Sequence, residues 1–312
     1  MSEYLPEGFL FGTQDNNSLL KSFQTLCECR QSEKILEAPC VICDSKHNLI
    51  VEFPDNPDMR GIIPREEGAL GIAEGTTKDI ALISRVNKPV CFVVKDFSDD
   101  KKTAVLSRRT AQDKAKQNYI SKLKSGDVIP ALVTHIEQFG CFVDIGCGIP
   151  SLIPIDLISV SRISHPQDRF YVGQKILAVV KAIENDRICL THKELLGTWA
   201  ENAAKFSQGE TVTGIVRSIE KYGIFIELAP NLAGLAEPRD DISINQHASV
   251  YIKAIIPEKM KIKLIIVSTS DRTYHNNEPD YFIKSGHIDS WYYSPPDCQK
   301  SIATFFDGTQ KL

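Results

Sequence analysis

GDVIPALVTHIEQFGCFVDIGCGIPSLIP, residues 126–154, recurs without a gap 83 positions later as GETVTGIVRSIEKYGIFIELAPNLAGLAE, residues 209–237. The two copies pair Gly126 with Gly209, Val133 with Val216, Ile136 with Ile219, Phe139 with Tyr222, Gly140 with Gly223, Phe142 with Phe225 and Leu152 with Leu235. Glycine, aliphatic and aromatic classes each keep their places, so one architectural unit is used at least twice.

In the second copy Val212, Gly214 and Val216 alternate with Thr211 and Thr213, the period of a strand with one apolar face. Ile219 breaks that parity, which predicts a bulge before it. After the glycine, Val143 and Ile145 share one face and Phe142 and Asp144 the other; Ile226 and Leu228 stand in the same way against Phe225 and Glu227. One large aromatic per copy therefore points away from the core, with an acid on the same face. A single exposed Phe carries little information. Two at one repeat position, each following another aromatic and a glycine, read as a platform on which bases stack.

These residues resemble the S-one RNA-binding domain, the small OB-fold barrel named after the largest protein of the bacterial small ribosomal subunit. The resemblance is carried by Gly126, Val133, Ile136, Phe139-Gly140-Cys141-Phe142-Val143-Asp144-Ile145, Gly148 and Leu152. Gly173-Gln174-Lys175 leading into KILAVVKAI, and the closing Arg187-Ile188-Cys189-Leu190-Thr191, complete it. It implies a mainly β chain with helical connectors, built as three tandem five-stranded OB-fold β-barrels of which the first is degenerate. That layout is similar to short three-repeat members of the bacterial ribosomal S-one-like family.

The resemblance also implies where RNA would lie. Its contact surface is the aromatic pair around the glycine, the residue after the G-L-[IV] step, and an acid and an Arg at the turn before the last strand. Carried over, this gives Phe139, Phe142, Glu184 and Arg187 in the second barrel and Tyr222, Phe225 and Lys261 in the third, with Lys181 and Lys253 as further phosphate contacts. Pro154 and Glu237 stand where the family often has His, and Ile256 stands where the acid would be.

The domain organisation follows from the repeat. Residues 1–35 form an N-terminal amphipathic helix region, with Leu19, Leu20, Phe23, Leu26 and Cys27 at helical spacing from Asn16 to Arg30. Residues 36–109 are the degenerate first repeat, with LEAPCVIC, LIVEF, Arg60 to Pro64, VCFVV and AVLSRR as strands. Lys46-His47-Asn48-Leu49 stands where the later copies have paired aromatics. A basic helical linker follows at 110–124, then the second repeat at 125–193, an interdomain helix with Trp199 in its apolar face at 194–207, and the third repeat at 208–270. The tail, 271–312, is rich in aromatics and either covers the third barrel or docks on another protein. His165, beside Pro166 in the loop between strands three and four of the second barrel, reads as a structural hydrogen-bonding group.

Composition sets the class. The chain has 312 residues with 42% hydrophobic and 24% charged, typical of soluble globular domains, and no apolar run approaches a membrane span. Net charge is −4, against a protein that binds nucleic acid through a uniform positive field. Residues 100–124 nevertheless hold eight Lys or Arg against two Asp, a local +6, which makes the linker a candidate phosphate contact. Nine cysteines at irregular spacing read as reduced thiols; Cys27, Cys29, Cys40 and Cys43 lack zinc-site turn chemistry, so no metal is expected.

No P-loop, H-E-x-x-H pair or G-x-S-x-G elbow occurs, so the expectation is a binder and not an enzyme, without a cofactor. The start, MSEYLPEGFLFGTQ, has no basic region followed by an apolar block, and a cytoplasmic protein is expected. The expected partners are single-stranded RNA, messenger RNA first, and the small ribosomal subunit, with a role in translation; no membrane and no small-molecule substrate is expected. The rival reading is a protein-interaction scaffold, or a non-catalytic RNA-binding subunit of an RNA-processing or regulatory complex.

Overall fold

The structure, a computed structural model, describes residues 3–184, 187–270 and 278–306, and its strands close into three five-stranded barrels. The first is made by β1 (Leu36–Cys43), β2 (Leu49–Glu52), β3 (Arg60–Ile63), β4 (Lys88–Phe97) and β5 (Thr103–Ser107). The second is made by β6 (Val128–Glu137), β7 (Gly140–Asp144), β8 (Pro150–Pro154), β9 (Lys175–Glu184) and β10 (Arg187–Thr191). The third is made by β11 (Thr211–Glu220), β12 (Gly223–Ala229), β13 (Leu232–Ala236), β14 (His247–Ile256) and β15 (Lys261–Ser270). All three have the same ring order, in which the third strand runs parallel to the fifth: Gly61 opposes Ala104, Leu152 opposes Cys189 and Leu235 opposes Lys263. The shared order is that of a five-stranded OB-fold barrel.

The bulge expected before Ile219 is present. The pairing of β11 with β12 shifts between Val216 and Ser218, which leaves Arg217 as the extra residue.

The described chain divides into two compact units, one of Met1–Leu123 with Pro130–Leu132 and Asp144–Pro150, the other of Lys124–Ile129, Val133–Val143 and Ser151–Leu312. In the first unit the leading stretch is not one helix but two, α1 (Gln14–Leu20) and α2 (Phe23–Ser32). Ser22 restarts the helix: its hydroxyl accepts the Thr25 N–H while Thr25 accepts the Ser22 N–H. Leu20, Leu26 and Cys29 are buried with Leu36, Val51, Phe92 and Leu106, so the helices cover the first barrel. A short α3 (Ile80–Ile83) lies between β3 and β4.

Residues 110–123 of the basic linker belong to this unit. α4 (Arg108–Asn118) follows β5 directly, and Ala111 and Ala115 on it are buried. Its cations have intramolecular partners: Arg108 Nε lies 2.6 Å from Glu7 Oε1, Arg109 Nη2 lies 3.3 Å from Glu74, and Lys114 Nζ lies 3.2 Å from Glu33. The local basic excess is neutralised to that extent within the chain.

In the second unit the expected interdomain helix is interrupted. A 3-10 turn at Lys193–Leu196 ends at Gly197, whose φ is +82° and whose added Cβ would meet the Phe282 ring at 2.6 Å. The chain restarts as α5 (Trp199–Ala203) through a Thr198 and Glu201 capping box. Trp199, 3% exposed, packs among Val216, Ile226 and Ile252.

The part of the tail within the described residues, 278–306, covers the third barrel, while 271–277 and 307–312 lie outside them. Trp291, Tyr293 and Phe306 share that core, flanked by the paired short strands β16 (Ser290–Tyr292) and β17 (Ala303–Phe305). Burial of aromatics of this size stabilises by about 1.5–3 kcal/mol each. Tyr293 Oη donates to the Asn231 carbonyl at 2.5 Å, Tyr281 Oη accepts the Leu177 N–H at 3.1 Å, and Thr304 Oγ1 lies 2.8 Å from Glu194. These bonds tie the tail to segments of both the second and the third repeat.

One buried carboxyl in the first unit makes stability depend on pH. Glu37 accepts the N–H groups of Gly8, Leu10 and Phe11 inside the fold. Burial, reinforced by the charge of Glu7, nevertheless pushes its pKa from 4.5 to about 7. A raised folded-state pKa means that the stability present with Glu37 protonated is lost as pH rises from about 4.5 through about 7. Denaturant melts of Glu37→Gln and the parent chain should therefore show the substituted chain gaining on the parent by on the order of 3 kcal/mol between about pH 4 and about pH 8. A difference that stays constant with pH would contradict the raised carboxyl.

Candidate nucleic-acid interface

The two aromatic pairs are built on the hairpin between the first two strands of their barrels. In the third barrel Phe225 on β12 opposes Ser218 on β11 and Leu235 on β13, and Leu235 opposes Lys263 on β15. Directly opposed residues share a face of the sheet, so Ser218, Phe225, Leu235 and Lys263 form one outward row. Tyr222, in the turn before β12, is 67% exposed, and its ring centroid lies 6.1 Å from that of Phe225 at an interplanar angle of 88°.

The second barrel repeats this geometry. Phe139 is 56% exposed and lies 6.0 Å from the half-buried Phe142 at 89°. Each pair thus offers one ring face with a second ring standing at its edge, an arrangement into which a flat base fits by stacking on one and abutting the other.

A glycine is required between the rings by close packing. A Cβ at Gly140 would lie 2.6 Å from the Ile153 carbonyl, and one at Gly223 would lie 2.6 Å from the Ala236 carbonyl. With no side chain there, the hairpin closes onto the next strand and the aromatic on each side is left outside.

The charged candidates are more scattered. Arg187 opposes Glu184 across β9 and β10, both exposed. Lys261 opposes Ile256, and Lys253 sits where the pairing of β14 with β15 shifts between Ile252 and Ala254; both lysines are exposed. Lys181 is engaged elsewhere, with its ammonium 5.3 Å from the centroid of the buried Phe306 ring.

Two residues beside the platforms escape the sequence reading. Lys263 lies in the same outward row as Phe225, one alternation beyond Lys261, and strand parity alone could have placed it. His135 stacks on Phe142, with centroids 6.2 Å apart and planes 29° apart, and its Nε2 lies 2.6 Å from Glu137 Oε1. It occupies the position of Ser218, on the far side of the bulge, where the parity switch conceals its direction.

The acids expected beside the exposed aromatics are not on open surface. Asp144 is 2% exposed and accepts N–H bonds from Glu7 at 2.7 Å, Gly146 at 2.8 Å and Gly148 at 3.0 Å. Burial and then the charge of Glu7 push its pKa up to about 7. Glu227, 6% exposed, accepts from Arg169 and, at 3.0 Å, from Arg217. His165 does take the expected structural role, as its Nδ1 accepts the Gln167 N–H at 3.2 Å.

The first barrel has no comparable platform. Leu49 opposes Ile63 as Ile224 opposes Ala236, which corrects the matching segment by one residue, from Lys46–Leu49 to His47–Ile50, and puts Ile50 in the place of Phe225 and His47 in the place of Tyr222. His47 Nδ1 lies 3.9 Å from Asp79 Oδ2.

The family model of the S1 RNA binding domain matches residues 122–193. Small ribosomal subunit protein bS1 of Staphylococcus aureus strain COL is 27% identical over 267 residues, 80% of this chain and 65% of that one. The chain is S1-like. Its Staphylococcus epidermidis counterpart, also a small ribosomal subunit protein bS1, is 26% identical over 83% of this chain and 71% of that one. This S1-like chain spans just under two thirds of the length of the Staphylococcus aureus relative. A multidomain protein with nucleic acid binding domains from Streptococcus pneumoniae aligns over 78% of this chain and 76% of that one, at 13% identity and a TM-score of 0.26. Among the described residues no group of three or more His, Cys, Asp and Glu could hold a metal ion, and no helix is long and apolar enough to cross a membrane.

The glycine constraint gives a direct test. Gly223→Ala forces the new methyl against the Ala236 carbonyl, so it should destabilise the chain by about 1–3 kcal/mol in a denaturant melt, the range of overpacked sites. A neutral Gly223→Ala would show that strands β12 and β13 are not held this close.

Proposed function

We propose that this S1-like chain binds single-stranded RNA, with bases stacked on the Phe139 and Phe142 pair and on the Tyr222 and Phe225 pair. The observation that carries the reading is the recurrence of one geometry: two rings about 6 Å apart and nearly perpendicular, beside a glycine, at the same repeat position of two barrels. Stacking of this kind tolerates sequence because every base has a π-face. Arg187, Lys253, Lys261 and Lys263 are the cations that would meet the backbone, whereas Lys181 contributes little while it lies over Phe306.

Messenger RNA is the ligand we favour. The relatives are named as small ribosomal subunit proteins, which supports ribosome association, a cytoplasmic location and a part in translation for this chain as well. It acts as a binder, with no chemical step of its own. The first barrel has an apolar side chain and a histidine at the platform positions, so its contribution to RNA affinity is small.

The balance between stacking and charge is measurable. Each phosphate neutralised on a single strand contributes about −0.7 to the slope of log affinity against log salt, so three or four contacts give roughly −2 to −3. Removing a stacked base costs about 1–3 kcal/mol. Phe142→Ala and Phe225→Ala should each weaken binding to an unstructured RNA by that amount at every salt concentration and leave the slope unchanged, while Lys263→Ala should flatten the slope. Equal or tighter binding to a duplex of the same length, or full affinity in the Phe142→Ala, Phe225→Ala chain, would refute the platform.

A further inference from the structure

The short hairpin of the tail carries a third ring pair, one that the repeat does not supply. Tyr292 on β16 and Phe305 on β17 have ring centroids 5.6 Å apart and planes at 88°. The barrel pairs stand at 6.0 Å and 89° and at 6.1 Å and 88°. Burial matches as well. Tyr292 is 55% exposed beside a half-buried Phe305, just as Phe139 at 56% and Tyr222 at 67% stand beside the half-buried Phe142 and Phe225. Among the described residues, these three are the Phe or Tyr pairs that stand at 88° or 89°.

A different backbone reaches the same geometry. In the barrels the two rings lie on one hairpin either side of a glycine, whereas here they come from two strands. Ser290 opposes Phe305 and Tyr292 opposes Ala303, so Tyr292 and Phe305 are diagonal neighbours on one face. Trp291 and Thr304, which oppose each other, take the other face and are buried. That face is fixed to the body of the unit: Trp291, Tyr293 and Phe306 lie in the third barrel's core, and Thr304 Oγ1 lies 2.8 Å from Glu194. The hairpin also adjoins the second barrel, where Lys181 on β9 has its ammonium 5.3 Å from the centroid of Phe306, the residue after Phe305. Ala182, next to Lys181, opposes Cys189, and Cys189 opposes Leu152, the repeat counterpart of Leu235 in the row of Phe225. The tail pair therefore sits beside a strand that carries the second barrel's outward row.

The size and surroundings of the pair select its occupant. Two aromatic side chains offer about 150–250 Å² each, well short of the roughly 800 Å² per partner of a stable protein interface. Their exposed neighbours on the hairpin, Asp289, Ser290, Gln299 and Lys300, are polar, so no apolar patch extends the surface. A flat base needs only a ring face and a ring edge. Resting on the reading of the chain as a single-strand binder, we propose that Tyr292 and Phe305 form a third stacking site, which takes a nucleobase of the bound RNA. The charged groups of the hairpin are Asp289, Asp297 and Lys300, with His287 already 2.6 Å from Asp127. They leave no excess of cations, so the site holds the base and not the phosphate.

Anisotropy titration of the full chain with a labelled oligouridylate of about 30 nucleotides tests the site, a length that covers two barrels and the tail at roughly 4–16 nucleotides per barrel. Tyr292→Ala should weaken binding about tenfold at low and at high salt alike. Tyr292→Phe should keep the parent affinity. Tyr292→Leu, which keeps an apolar contact with Phe305 but has no ring face, should weaken binding as Tyr292→Ala does. Full affinity in Tyr292→Ala would overturn the proposal and leave the open face of the hairpin to a protein partner. Full affinity in Tyr292→Leu would overturn it too, because the loss in the alanine chain would then be one of packing. The Phe142→Ala, Phe225→Ala chain separates this site from the barrel platforms, and adding Tyr292→Ala should weaken its residual binding by the same factor. A loss from the barrel substitutions with none from Tyr292→Ala refutes the tail site alone. A loss from Tyr292→Ala with none from the barrel substitutions refutes the barrel platforms alone.

Discussion

The structure depends at two places on the absence of a side chain. Gly140 and Gly223 each face a carbonyl of the neighbouring strand so closely that a Cβ would lie 2.6 Å away. That contact draws the hairpin tight against the third strand, and the ring before the glycine and the ring two residues after it lie on the outer surface, while Cys141 and Ile224 between them are buried. Phe139 with Phe142 and Tyr222 with Phe225 are perpendicular because the same backbone holds them. The first barrel shows what happens when the constraint is absent. Asn48 stands at the glycine position there, its Oδ1 accepting the Arg65 N–H at 3.0 Å and its Nδ2 donating to Asp44 at 2.9 Å. The hairpin is held by polar bonds, and no pair of aromatic rings is presented.

A second feature of the repeat is the acid two residues beyond the inner aromatic. Asp144 and Glu227 share that position, and both are buried by groups brought in from elsewhere in the chain. Asp144 binds backbone N–H groups from Glu7, Gly146 and Gly148, with Arg108 near enough to favour its ionised form. Glu227 holds Arg169 and Arg217 together. The equivalent residue of the first barrel, Glu52, is exposed. In the two complete repeats the acid therefore anchors neighbouring chain, which leaves the aromatic pair and scattered cations as the exposed groups.

Much of the fold is legible in the residues because the repeat reports it twice. The strands, the glycine between aromatics and even the bulge, seen as a parity break before Ile219 and found at Arg217, follow from local pattern. What escapes is decided by long-range contact. Nothing near Asp144 in sequence announces Glu7 or Arg108, and Lys181 resembles a phosphate contact until Phe306 is found beneath it. The helix breaks at Ser22 and Gly197 are local signals, a serine cap and a glycine, masked by apolar spacing that continues across them. The tail's aromatic content shows that it must be covered, but only the packed core shows that it covers the third barrel.

The central claim is that bases meet the protein at the two ring pairs. Photocrosslinking of a bromouridine-substituted, unstructured RNA to the full chain, with the attached residues mapped by mass spectrometry, tests it most directly. Crosslinks at Phe139, Phe142, Tyr222 and Phe225, with none on the first barrel's His47 or Ile50, are the expected result. Crosslinks concentrated on α4 or the first barrel, with the four aromatics unmarked, would contradict it.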